Sequence, residues 1–225
     1  MFKVSEAWKV AYPTAHAGVL VMHDVVNPPQ QAKLEAHKQQ LEDQLRARFA
    51  GHDRAAIAAL STIQAYNAYY KPFKKTYHVQ LQLESIALKG KSLPSVAALV
   101  EAMFIAEIKN LLLTAGHDLD KLQLPVTLDV ATGQETYTLL RGEPQIAKVG
   151  DMLMADQTGI ISSILYGPDQ RTAITAATRR VMFTVYAPPG IEPADVQHHL
   201  EDIRQYVEDV APEARVDVLK VFGAQ

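Results

Sequence analysis

Cysteine is absent from the 225 residues. Its absence excludes disulfides, thiolate zinc sites and cysteine nucleophiles, and it fits a reducing compartment. An excess of positive charge is lacking too: 22 lysines and arginines stand against 25 aspartates and glutamates, for a formal net charge of -3. Strong general affinity for nucleic acid rests on neutralising phosphates, so no DNA partner is expected and any RNA contact has to be local. No apolar run approaches the roughly 20 residues that span a bilayer. The opening segment Met-Phe-Lys-Val-Ser-Glu-Ala-Trp carries an acid early and does not read as a secretory signal. The expected location is cytoplasmic, with no membrane partner. Several chemical signatures are also missing. No glycine-rich phosphate loop follows a strand, and neither a Gly-x-Ser-x-Gly elbow nor His-Glu-x-x-His occurs. The acids lack EF-hand spacing, so neither a metal nor a cofactor is expected.

What is present is a core-forming chain, 48% hydrophobic, enough to bury a sizeable interior. Gly18 to Val26 is rich in β-branched residues and reads as a buried strand. Gln30 to Phe49 reads as a helix with Leu34, Leu41, Leu45 and Phe49 on one side. Asp53 is an N-cap for a second helix through about Ala68. The basic and aromatic stretch from Tyr69 to Tyr77 contains Pro72, which argues against continued helix. Val79 to Leu88 predicts a helix closed by Gly90. Pro94 suits the first turn of the next helix, whose apolar face is Val96, Leu99, Val100, Met103 and Phe104 and which ends near Gly116. From Leu124 the texture changes to short runs at 125–131, 136–140, 145–148, 152–155, 159–165 and 181–187, parted by turn glycines. Thr175 is read as the cap of a short helix. Pro193 opens an amphipathic helix with Val196, Leu200, Ile203 and Val207 at helical spacing, and Val216 to Phe222 reads as a closing strand. No repeat or linker is visible. One α+β domain over 1–225 is expected, helices before strands, with 189–225 as a C-terminal extension packed on it.

Two polar clusters interrupt the apolar pattern: Thr-Ala-Gly-His-Asp-Leu-Asp-Lys at 114–121 and Gly-Pro-Asp-Gln-Arg-Thr at 167–172. Together with Lys89-Gly90-Lys91-Ser92-Leu93-Pro94, Leu99-Val100-Glu101, Ala155-Asp156-Gln157-Thr158-Gly159 and Thr178-Arg179-Arg180, they occur in an order that resembles the B3/B4 tRNA-editing domain of the phenylalanyl-tRNA synthetase β subunit, in its free-standing form. The match runs from about Tyr69 to Tyr186. The resemblance implies layered β/β/α architecture with mixed sheets and flanking helices. It also implies hydrolysis of an ester joining a wrong amino acid to tRNA, which needs a positioned water and donors for the developing oxyanion. Phe104 stands where the family carries asparagine, and Ala115 where the synthetases carry histidine. The synthetase glutamate that selects a tyrosine hydroxyl falls near Pro168 or Asp169.

The candidate catalytic residues are His117, Asp118 and Asp169. His117 can orient water or an ester because its pKa lies near neutrality; a histidine at a helix C-terminus, facing free carbonyls, is the plainer alternative. Asp118, with Asp120 beside it, can serve as an acid/base group or simply as a turn and helix cap. Asp169 belongs with the candidate substrate-binding residues Arg171 and Thr172 on the second cluster, since arginine grips a carboxylate or phosphate with two prongs; the alternative is a surface turn with a local ion pair. Glu101 and Phe104 join the substrate-binding set from the family helix. Tyr70, Lys71, Lys74 and Lys75 mix aromatic and positive groups that can stack bases and pair phosphates. The expected partner is a tRNA 3′ end or an amino-acid-like ligand. Two functions remain open: a trans-acting aminoacyl-ester hydrolase, and a non-catalytic small-molecule module with a degenerate editing fold.

Overall fold

The computed structural model describes residues 2–224. Strand β1 (Phe2–Val4) leads through helix α1 (Glu6–Ala11) to strand β2 (His16–His23). A helical stretch follows: α2 (Ala32–Arg48), α3 (Arg54–Ala58), α4 (Ser61–Tyr70), α5 (His78–Lys89) and α6 (Ala98–Asn110). Then come β3 (Thr114–Asp118), β4 (Val126–Val130), β5 (Thr136–Thr138), β6 (Pro144–Ile146), β7 (Met152–Asp156), β8 (Gly159–Ser163), β9 (Gly167–Pro168) and β10 (Arg180–Ala187). Helix α7 (Pro193–Val210) and strand β11 (Arg215–Phe222) complete the order.

Two sheets carry the architecture. One has the order β1-β4-β7-β8-β9, with β1 parallel to β4 and the remaining pairs antiparallel. The other, β11-β2-β10-β3, is wholly antiparallel. A β5–β6 hairpin stands beside them. β2 is buried on both faces from Ala17 to Met22, which explains its unbroken apolar run. On one side lies α7, whose Val196, Leu200, Ile203 and Val207 are all buried at helical spacing. On the other side the five-stranded sheet is joined by a 2.6 Å hydrogen bond between Tyr186 of β10 and Ser162 of β8. α6 packs beside α7 on the helical side. The chain is therefore mixed α+β, with several sheets and flanking helices. Among the described residues, no helix is long and apolar enough to cross a membrane.

Several local expectations are corrected. The helix expected from Asp53 to Ala68 is two, because the chain extends at Leu60; Asp53 does cap the first through bonds from the Ala55 and Ala56 N–H groups. Pro94 opens no helix. Residues 92–97 form no regular element, and α6 starts at Ala98, where the Ala98 N–H meets the Pro28 carbonyl and the Leu99 N–H meets the Asn27 side chain. α6 ends at Leu111 in a left-handed conformation, so the Thr114–Asp118 cluster is a strand buried at every position and not a helix end. Thr175 caps no helix: its N–H is held by the Thr178 hydroxyl in a turn.

Candidate functional site

Strand β3 sorts the first polar cluster. Alternate residues of a strand face opposite sides. His117 lies across from Met182, on the face turned to the five-stranded sheet, where its Nε2 is 3.2 Å from Ser162 Oγ. Thr114 points the other way, toward α6 and α7. Thr114 meets the buried His199 of α7 at 2.7 Å, and its N–H donates to Glu107 of α6 at 2.9 Å.

A cleft of about 300 Å³ opens on that helical side. Val100, Met103, Phe104 and Glu107 line it from α6, at the i, i+3, i+4 and i+7 spacing of one helix face. Gly116, Gly167–Pro168 and Ala173–Ile174 form the facing wall, and His78 and Gln82 of α5 the side. Gly116 permits a close approach: a Cβ there would lie 2.7 Å from Ile174 Cδ1. Glu107 is 3% exposed. Burial pushes its carboxyl up to about 8, against the opposing pull of the Thr114 N–H. At neutral pH it therefore keeps its proton and offers both a donor and an acceptor. His78 keeps an exposed surface at the side of the cleft, yet the protein packed around it desolvates the ring and lowers its pKa, which favours the neutral imidazole.

The residues singled out from the sequence separate into groups. Phe104 lines the cleft. Glu101 does not: it is buried one step around α6, accepting from the Val96 N–H at 2.7 Å with Lys38 at 3.4 Å. His117 is fully buried between Thr172 and Ser162. Burial, aided by the Arg171 charge, lowers it to about 3. Thr172 donates its hydroxyl to Asp169, so it accepts from His117 Nδ1–H, and His117 Nε2 is left to accept from Ser162. Asp169, His117 and Thr172 thus form one enclosed chain of hydrogen bonds that braces the second cluster against the sheets. Asp169 also accepts the Thr172 N–H, and burial raises its pKa against that help. Asp118 receives the Thr178 hydroxyl at 2.8 Å and the Asp120 N–H, a turn-capping role. Arg171 grips Asp156 with two bonds of 2.9 Å. Burial opposes ionisation of Asp156, but the Gln123 N–H and the Arg171 guanidinium outweigh it and hold the carboxylate below its usual range. The second cluster touches the cleft through Gly167 and Pro168, and Ala173 and Ile174, which follow it, line the same wall. Tyr70 is buried, with its hydroxyl on the Ile164 carbonyl. Lys71 and Lys74 are exposed, and Lys75 lies over the Tyr166 ring at 4.2 Å.

Glu107 escaped the sequence reading because it sits within an apolar helix, Ala-Met-Phe-Ile-Ala-Glu-Ile. Its spacing of three from Phe104 and seven from Val100 was the available signal. His78 and Gln82, four apart on α5, carried the same kind of signal.

Layered sheets under helices, with a cleft between α6 and the edge strand β3, define the class of fold. No protein-family model matches the sequence, and no curated protein matches it significantly. Among solved structures, the chain is similar to an N-terminal fragment of the phenylalanyl-tRNA synthetase β subunit from Pyrococcus horikoshii, with a TM-score of 0.52 and 11% identity. The similarity covers 98% of this chain and 53% of that one, so the chain spans about half the length of its structural relative. At this identity the likeness is one of fold.

Proposed function

We propose that this chain is a B3/B4-type domain that hydrolyses, in trans, the ester of an amino acid borne on a tRNA 3′ end, with the acyl side chain held in the cleft beside α6. The observation that carries the reading is the cleft itself. It is apolar, at the small end of the size range for ligand sites, and has one neutral carboxyl, Glu107, on its wall. Such a wall accepts an amino-acid side chain and tests it for a polar group. A buried partner left unpaired by the wrong ligand discriminates far better than an apolar surface does. With His117 enclosed on the other face, His78 is the imidazole on the cleft. Neutral at pH 7, it takes the proton of a water that adds to the acyl carbon and returns it to the ribose oxygen as the acyl–oxygen bond breaks, while Gln82, one turn on, orients that water. Fold similarity to the synthetase fragment supports the aminoacyl-tRNA substrate class without carrying its chemistry.

Ester loss from a panel of mischarged tRNAs tests the proposal. Wild type is expected to exceed the spontaneous rate on at least one pair, and His78→Ala to lower the rate at least about 100-fold, the usual worth of a positioned base. Ligand binding without any ester loss would instead identify a non-catalytic small-molecule module.

Phe104 sets the size limit. It and Gln82 form the partition between the cleft and a neighbouring hollow of about 160 Å³ lined by Leu81, Ile86 and Leu93. Phe104→Ala is expected to join the two. Bulky acyl groups should gain roughly ten-fold in kcat/KM relative to small ones, in line with what apolar volume is worth in a pocket. An unchanged ranking of substrates would show that Phe104 is no gate.

A further inference from the structure

A second groove, of about 510 Å³, runs beside the short helical turn after α4, with Tyr12, Tyr69, Pro72, Phe73 and Val149 among its walls. Three of these form a ladder of rings: Tyr12 to Tyr69 at 5.8 Å between centroids, and Tyr69 to Phe73 at 5.4 Å. Tyr12 and Phe73 are only half-buried, and Val149 is 71% exposed. Aromatic and aliphatic surface left open in this way marks a binding face.

Lysines adjoin the residues that line the groove. Lys71 and Lys74 flank Pro72 and Phe73 in sequence, and Lys148 donates to the Phe73 carbonyl at 3.0 Å. Lys148 is thereby tied to Phe73, two residues before Lys75, and burial and then the Lys148 charge lower the pKa of Lys75. Among the described residues, none of these four lysines has a carboxylate oxygen within 4.0 Å. The acid that acts on Lys75, Asp151, is buried below and bonded to the Tyr69 hydroxyl at 2.7 Å. Lysines with no carboxylate in salt-bridge range fit an anion. Lys75 also adjoins the cleft: Tyr166, under it, directly precedes the Gly167–Pro168 wall, and His78 is three residues from Lys75.

We propose that this groove binds the unpaired 3′ end of an RNA, with a base stacked on the Tyr12–Phe73 ladder and backbone phosphate at Lys75 and Lys148. The placement rests on the reading of the cleft as an acyl site. It brings a terminal ribose ester toward His78 while the preceding nucleotides lie along the lysines. Rings with interleaved cations form the usual platform for single strands. Tyr70, which the sequence offers for this role, has no free face; Tyr12 and Phe73 supply the rings instead.

Binding of a labelled, non-acylated single-stranded RNA ending in CCA, followed by anisotropy against salt, tests the groove. Lys75→Glu with Lys148→Glu is expected to weaken binding at low salt and to reduce the slope of log K against log salt by about 1.4, at about 0.7 per phosphate contact on single strands. Phe73→Ala should weaken binding at least about ten-fold while leaving the slope unchanged. Thermal melting of each variant separates lost binding from lost folding, and the two lysines are surface residues whose replacement leaves the core intact. Wild type that ignores the RNA at low salt, or variants that bind it as wild type does, would overturn the proposal. So would binding equalled by inorganic polyphosphate and indifferent to Phe73. Ester hydrolysis by wild type is scored separately. RNA held in the groove without ester loss overturns the hydrolase and leaves the groove standing; ester loss from tRNA that is insensitive to the groove variants overturns the groove alone.

Discussion

Raising the pH from about 6.5 to 8.5 is expected to lower the stability of this protein. Burial holds Glu107 at about 8, and the same cause, only partly relieved by Tyr69, holds Asp151 at about 7. Their ordinary values are 4.5 and 3.8. Between the two values the folded chain keeps a proton that the unfolded chain releases. The contribution of these two carboxyls is then complete below about 4 and is lost as pH rises through 7 for Asp151 and 8 for Glu107. The slope is about 1.4 kcal/mol per pH unit for each group. His117 and His199 act in the opposite sense. Burial lowers both to about 3, so their contribution is present above 6.5 and is lost as pH falls toward 3. From about 4.5 to 6.5 the carboxyls and imidazoles oppose one another, and stability should be flat and maximal there. Above 6.5 the carboxyls act alone, with Glu107 contributing roughly 2 kcal/mol of loss by pH 8. Melting temperature across pH 5 to 9 measures this, and Glu107→Gln should remove the limb between 7 and 8. A stability that climbs steadily to pH 8.5, or an alkaline limb untouched by the substitution, would refute the assignment.

Arg171→Ala should unfold the protein more readily by about 3 kcal/mol, the usual consequence of stripping the partner from a buried carboxylate. The Asp156 side chain is fully buried, and Arg171 reaches it with both prongs while also donating to the Lys121 carbonyl. Lysine cannot reproduce that fork, so Arg171→Lys should recover little. Pairing Arg171→Ala with Asp156→Asn should be far less harmful than the sum of the two, since the neutral amide needs no counter-charge. Chemical denaturation of the four proteins gives the coupling directly. A variant that keeps its stability yet loses affinity for an anionic ligand would make Arg171 a recognition group instead.

Elements with their own periodicity were legible in the sequence. β2, α2, α7 and β11 lie close to where apolar spacing puts them, and Gly90 closes α5 in the left-handed conformation expected of it, with φ +67. The failures share a physical cause: the deciding contact is remote. The start of α6 is fixed by Pro28 and Asn27, some 70 positions upstream, and Pro94 carries no trace of them. Its end is a left-handed leucine, Leu111, with φ +60, a conformation that β-unbranched apolar residues adopt only under tertiary constraint. The surroundings of the site residues were hidden for a related reason. Charged and polar side chains in a turn-like stretch suggest chemistry, but burial converts Asp118, Asp169 and Arg171 into internal braces. Glu107 and His78 look ordinary in sequence, and the cleft alone distinguishes them.

The strand order β11-β2-β10-β3 has a consequence for how the chain is made. β2 is complete by residue 23, yet both strands that pair with it begin at or beyond residue 180. While a ribosome extends the intervening stretch, the Val19–Met22 run has neither neighbour nor covering helix. Such long-range pairing slows folding, and an unpaired apolar strand in a growing chain invites association with other chains. The sheet built on β2 is thus completed only after strands far downstream have been synthesised, and β2 depends on β10 and β11 for its neighbours.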